Sequence, residues 1–181
     1  MSLPDSILAV TLAFIVACWL TDVRTRQIPN ILSGAAFVAG VLMNITFFGR
    51  WGLVNSVAGA VVGVAFLIGP FALGGIGGGD VKMMGAVGAL LGPLLVLHAV
   101  AVGLVLGGIV MMIHLAGLGR LREKLTATAR MITGAWSKKS LVPLRLSDED
   151  AAAVTLPYSV PLGLGTLAVL LPRVGILGPL F

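Results

Sequence analysis

Long apolar blocks separated by short polar stretches dominate the chain, and blocks of this kind predict helices that cross a bilayer, at about 20 residues each. The first runs from Leu3 to Leu20, the second from about Ile31 to Phe48 and the third from about Leu53 to Leu73. From Met83 to Gly119 the sequence is apolar again, long for one crossing and tight for two, with Gly92-Pro93 as the natural break. That break divides it into a short helix from Val81 to about Gly92 and a full one from about Leu94 to Leu118, and a last block follows from about Pro157 to Leu171. Between the first two blocks, Thr21 to Asn30 is polar and basic and belongs in or near water. Pro29 suits the first turn of the next helix, where its missing N–H costs nothing. Gly49-Arg50-Trp51-Gly52 reads as a turn holding an interfacial tryptophan. Gly59 and Gly63 lie four apart, the small-residue spacing that lets membrane helices pack closely.

Composition narrows this pattern to one class. Of 181 residues, 58% are hydrophobic and only 10% charged, and the mean hydropathy is +1.09, which is outside the range of soluble globular domains. The expected fold is all-α: a polytopic integral membrane protein with six transmembrane helices, the fourth short and preceded by a Gly-rich loop. Residues 1–181 form a single membrane-embedded domain, with 119–154 as a loop within it. Counting six crossings puts Arg24, Arg26, Lys82, Arg120, Arg122, Lys124, Arg130, Lys138, Lys139 and Arg145 on one side and only Arg50 and Arg173 on the other. Cationic loops mark the cytoplasmic side, so both termini are expected outside. The net charge of +5 is then a matter of topology. No aromatic-and-basic pattern accompanies it, and no nucleic-acid partner is implied.

A lone cysteine, Cys18, excludes an internal disulfide framework and a multi-thiolate zinc site. Ile15-Val16-Ala17-Cys18 resembles the tetrapeptide before a lipid-modified cysteine, but Asp5 is the only charge before the apolar run, and a signal peptide needs a basic start. Cys18 is expected as a small buried apolar residue.

Chemistry is expected where carboxylates meet apolar segments, because ionisable groups near a membrane interior are costly. Asp80 follows the glycine-rich run Gly74 to Gly79, whose five glycines admit close approach of another segment and permit positive φ. Asp22 follows the first block and Asp80 precedes the fourth, so the six-crossing count brings both to one end of the bundle. Two carboxyl groups a few ångströms apart cannot both ionise; one can act as a base on water while the other, protonated, donates to a scissile carbonyl. Plainer roles exist for each alone. Asp80 suits an N-cap, and Asp22 an exposed loop residue or a partner of Arg24 or Arg26.

Gly77-Gly78-Gly79-Asp80 fits a GxGD pattern, and Asp22-Val23-Arg24-Thr25-Arg26-Gln27-Ile28-Pro29-Asn30 closely resembles the other signature of the type IV prepilin peptidases. Leu156-Pro157-Tyr158 looks like that family's late Pro-Tyr element. The resemblance implies a membrane aspartyl endopeptidase of the prokaryotic cell membrane, cutting the basic leader from prepilins at the cytoplasmic face. Asp22 and Asp80 match the two family aspartates, with Gly77, Gly79, Lys82, Arg24, Pro29 and Asn30 as supporting residues and no metal or organic cofactor. Few polar residues separate the first two blocks, and an insertion with paired cysteines, carried by the larger bifunctional members, is missing there. The chain therefore resembles the short form, similar to peptidases of tight-adherence (Flp) pili and to archaeal preflagellin peptidases, which leaves N-methylation of the product open.

Other residues read more simply. His98 and His114 stand singly in apolar runs with no second ligand type at helical spacing, and no buried serine offers itself as their partner for nucleophilic catalysis. The glycine run lacks the Lys-Ser/Thr ending of a nucleotide loop, and Met83-Met84 and Met111-Met112 suit packing or lipid contact. Asp148, Glu149 and Asp150 read first as acidic first-turn residues of a short helix, with attraction of a basic leader as the sharper alternative. From another class, a small six-span transporter could use the same two carboxylates to bind protons or cations.

Overall fold

The computed structural model describes residues 3–72, 75–117 and 158–173, and they are helical throughout apart from short connections. Five helices follow one another among the described residues: α1 (Asp5–Thr25), α2 (Asn30–Ala72), α3 (Gly78–Leu91), α4 (Pro93–Gly117) and α5 (Ser159–Leu170), the last continued by a 3-10 turn, Leu171–Arg173. Three of them, α1, α2 and α4, are long and apolar enough to cross a membrane. The expected six crossings are thus not reproduced as six such helices. The 119–154 loop, the acidic group Asp148 to Asp150 and the Leu156-Pro157 pair lie outside the described residues.

One boundary differs from the sequence reading for a physical reason. Helix α1 does not stop at Leu20; it continues to Thr25 and carries Asp22 inside it. The Thr21 and Thr25 hydroxyls donate to carbonyls of their own helix, Thr21 to Ala17 and Cys18 at 3.0 Å and Thr25 to Thr21 at 2.8 Å, so polar side chains do not break it. The stop comes at Arg26, whose backbone is left-handed at φ 51° and whose N–H donates to the Asp22 carbonyl at 2.7 Å. The stretch named α2 consists of two helices that meet at a kink, in line with the two blocks and the turn expected there. Its one non-helical residue is Gly49 at φ 59°, a value that a residue with a Cβ rarely adopts.

At Gly49 the chain folds back, and both arms of α2 pack on α3. Asn44 in the first arm donates to the carbonyls of Ala89 and Leu90 at 3.0 and 3.1 Å, while Ser56 in the second arm donates to Ala89 at 2.7 Å. Glycines make the approach possible. A Cβ on Gly59 would collide with the Gly88 carbonyl, one on Gly63 with that of Met84, and one on Gly40 would stand 2.8 Å from the Ala89 carbonyl carbon. This is the close packing that the Gly59 and Gly63 spacing predicts. Helix α3 ends at Gly92, φ 83°, and Pro93 opens α4 at the first-turn position that proline tolerates. A second seam joins α4 to α5, where a Cβ on Gly103 would lie 2.8 Å from the Leu162 Cα and one on Gly165 would meet the Ala99 carbonyl. The core between these seams holds Ile7, Ile15, Met83, Met84, Leu90 and Leu162, all fully buried.

Candidate active site

Helix α1 ends and helix α3 begins at the same end of the bundle, and that juxtaposition makes the site. A cavity of about 290 Å³ there is lined by Asp22, Arg26, Gln27, Ile28, Asn30, Gly77, Gly78, Gly79, Asp80 and Lys82. Both carboxylates are largely withdrawn from solvent, each 8% exposed. Asp22 projects from the last turns of α1, and Asp80 from the first turn of α3.

The glycine run acts by leaving room. A Cβ on Gly79 would lie 3.3 Å from the Ile28 Cβ and 3.5 Å from its backbone nitrogen, so the absence of a side chain lets the segment after α1 close over the start of α3. Positive φ, the other use expected of these glycines, is not used among the described ones; it falls at Gly49 and Gly92 instead. Nor is Asp80 an N-cap. Gly77 holds that position without a side-chain bond, and the Asp80 N–H donates to the Gly77 carbonyl at 3.1 Å. The carboxyl group of Asp80 is held beside the Gly77 backbone and lines the cavity.

Asp80 lies outside the three long apolar helices. Burial, then the neighbouring Asp22 charge, push its carboxyl from 3.8 up to about 7, with the Gly77 backbone opposing.

Of the other expected residues, Gly77, Gly79, Asn30 and Lys82 line the cavity, and Lys82 Nζ donates to Asn30 Oδ1 at 2.8 Å, tying the start of α2 to the first turn of α3. Arg24 is exposed and stands away from the lining. Pro29 is also outside it and acts through its carbonyl, which accepts from the Leu32 and Ser33 N–H groups and starts α2. His98 meets the Leu94 carbonyl of its own helix through Nδ1 at 2.7 Å.

Sequence reasoning missed Arg26, Gln27 and Ile28 as lining residues, although all three stand in the quoted signature segment. It also missed Ser159. This serine is fully buried, contrary to the expectation that no buried serine would present itself, and its hydroxyl donates to Asp22 Oδ2. Its carbonyl accepts from Trp19 Nε1 at 2.9 Å. A hydroxyl opening an apolar helix directly after a Pro-Tyr pair was the available signal.

Comparison with known proteins gives one match: a family model described as the type IV leader peptidase family fits residues 9–112. That span contains Asp22 and Asp80 and ends before Tyr158 and Ser159. No curated protein and no solved structure matches the chain.

Proposed function

The chain belongs to the type IV leader peptidase family, and from that premise we propose that it removes the basic leader of prepilins at the cytoplasmic membrane face with a water activated by Asp22 and Asp80. The observation that carries the mechanism is the shared cavity: two buried carboxyl groups, contributed by separate helices, face one polar space. Asp80, which keeps its proton to about pH 7, is the acid, and Asp22 is the base.

The chemistry then balances without a cofactor. Asp22 takes a proton from water as the water oxygen bonds to the scissile carbonyl carbon, and Asp80 gives its proton to the carbonyl oxygen. The tetrahedral intermediate collapses with return of a proton to Asp80. The C–N bond breaks as the proton on Asp22 passes to the leaving nitrogen, which becomes the new amino terminus of the pilin. Gly77, Gly78 and Gly79 line the cavity without side chains, and an extended substrate strand can therefore approach Asp80.

Charge supports the assignment of the face. Arg24 and Arg26 stand at the end of α1, and Lys82 near the start of α3, all at the carboxylate end, while Arg50 follows the Gly49 kink, where the two arms of α2 meet away from that end. Cations collect on the cytoplasmic side of short loops. The other reading of the carboxylates, proton or cation transport, has no observation in its favour.

The test is incubation of the purified full chain in detergent with a prepilin, followed by mass measurement of the product. This reports the cleavage site and any added methyl group together. Asp22→Asn and Asp80→Asn should each abolish cleavage while the protein stays folded; a variant that still cuts at the normal rate removes its residue from the mechanism.

A further inference from the structure

The base of an aspartyl pair must keep one carboxylate oxygen free and aimed at water, and a carboxylate at the end of a helix can rotate about two bonds. Something has to hold it. Around Asp22, the polar contact that supplies this hold comes from α5, at the far end of the described chain.

We propose that Ser159 is a positioning residue for Asp22: its hydroxyl holds Oδ2, and the Trp19 indole holds the Ser159 backbone, so that Oδ1 faces the cavity to accept the proton of the attacking water. The proposal rests on the two-aspartate reading above. Three observations converge on it. Ser159 is fully buried and donates to Asp22 Oδ2, and a hydroxyl has one proton to give. Trp19 precedes Asp22 by three positions on α1, so the two side chains share a helix face, and its indole N–H, a donor only, reaches the Ser159 carbonyl at 2.9 Å. Gly163 is one turn after Ser159 on α5, and a Cβ there would occupy the place of the indole, meeting Nε1 and Cε2. The glycine therefore admits the ring that fixes the serine.

Trp19, Ser159 and Asp22 form a closed path, with α1 holding α5 through the indole and α5 holding α1 through the hydroxyl. Ser159 keeps its proton throughout and forms no bond to substrate. It is distinct from a serine nucleophile, since it is fully buried and does not line the cavity that holds Asp22 and Asp80.

The experiment measures kcat and KM for prepilin cleavage by the purified full chain carrying Ser159→Ala, Ser159→Cys or Ser159→Thr, with melting in detergent as the check on folding. Loss of a hydrogen bond to a charged group predicts a kcat lower by about 10- to 100-fold for alanine. Cysteine, similar in shape and a weak donor, should fall with it. KM should stay within about twofold for both, and threonine, which keeps the hydroxyl, should retain most of the wild-type kcat. A structural role alone would not divide the variants by their donor. Should the alanine variant fail to fold, the cysteine and threonine pair decides. Wild-type kcat in the alanine or cysteine variant, a loss confined to KM, or a threonine variant as slow as alanine overturns the proposal. Asp22→Asn is run beside them: if it still cuts, the two-aspartate reading has failed, and if it is dead while Ser159→Ala is fully active, only the role of Ser159 has failed.

Discussion

Gly88→Ala tests whether the glycine seam between α2 and α3 determines where Asp80 sits. Gly88 faces Gly59, and a new Cβ would run into the Gly59 carbonyl and stand 3.0 Å from the Ala60 nitrogen. Both neighbours are backbone, so no rotamer change relieves the contact and the helices must separate. Overpacking of this kind costs about 1–3 kcal/mol, while the better helix propensity of alanine returns about 0.5–1 kcal/mol, leaving a net destabilisation of up to about 2.5 kcal/mol. The control is Gly34→Ala in α2, where nothing lies within 4 Å of the added methyl and only the propensity gain of about 0.5–1 kcal/mol remains. Thermal melting of the two variants in the same detergent should therefore move in opposite directions. Leader cleavage should fall in Gly88→Ala, because a displaced α3 carries Asp80 with it, and stay normal in Gly34→Ala. A Gly88→Ala protein that melts and cuts like wild type would refute the claim that this seam sets the site.

Other expectations follow from the same geometry. The cleavage rate should decline as pH rises through about 7, as Asp80 loses the proton it is assigned to donate, and a rate still rising from pH 7 to pH 9 would exclude it as the acid. Because Asp80 holds its proton up to about pH 7 when folded, well above the range of an exposed aspartate, the folded state binds more protons between the two and stability falls as pH rises through that window. Asp80→Asn should accordingly melt higher than wild type at pH 8 and at the same temperature as wild type at pH 3; a lower melting point at pH 8 would contradict the burial argument. Trp19→Phe keeps an aromatic ring, though a smaller one, and loses the hold on Ser159, so kcat should drop about 3- to 10-fold, as for one neutral hydrogen bond, and an unchanged kcat would deny the indole its part. Neutralising Asp148, Glu149 and Asp150 together should raise KM at low salt if they attract the basic leader, and an unchanged KM dismisses that attraction.

The parts legible in the sequence were those where a residue type is costly in its setting. Asp22 and Asp80 stood out because charge is rare in apolar segments, and the glycines at 59 and 63 and the Gly92-Pro93 break stood out because such residues weaken helices unless a close approach or a stop requires them. What escaped was cheap or locally ambiguous. A serine at the start of an apolar helix has many uses, and the one it has here, holding Asp22 Oδ2, depends on a partner 137 positions away. The extension of α1 to Thr25 was hidden because threonine hydroxyls can satisfy themselves on their own helix. The two helices of α2 meet at a kink where Gly49 alone is non-helical, so a turn expected over four residues needs only one with special backbone angles.

The brevity of α3 sets a depth. Fourteen residues rise about 21 Å, roughly 9 Å short of an ordinary hydrocarbon core. If its far end at Gly92 reaches the opposite boundary, Asp80 is recessed below the near one, and the peptide bond to be cut must descend to it. A catalytic centre sunk by a fixed amount would then behave as a gauge, selecting the bond that lies a set distance from where the substrate's own greasy helix begins.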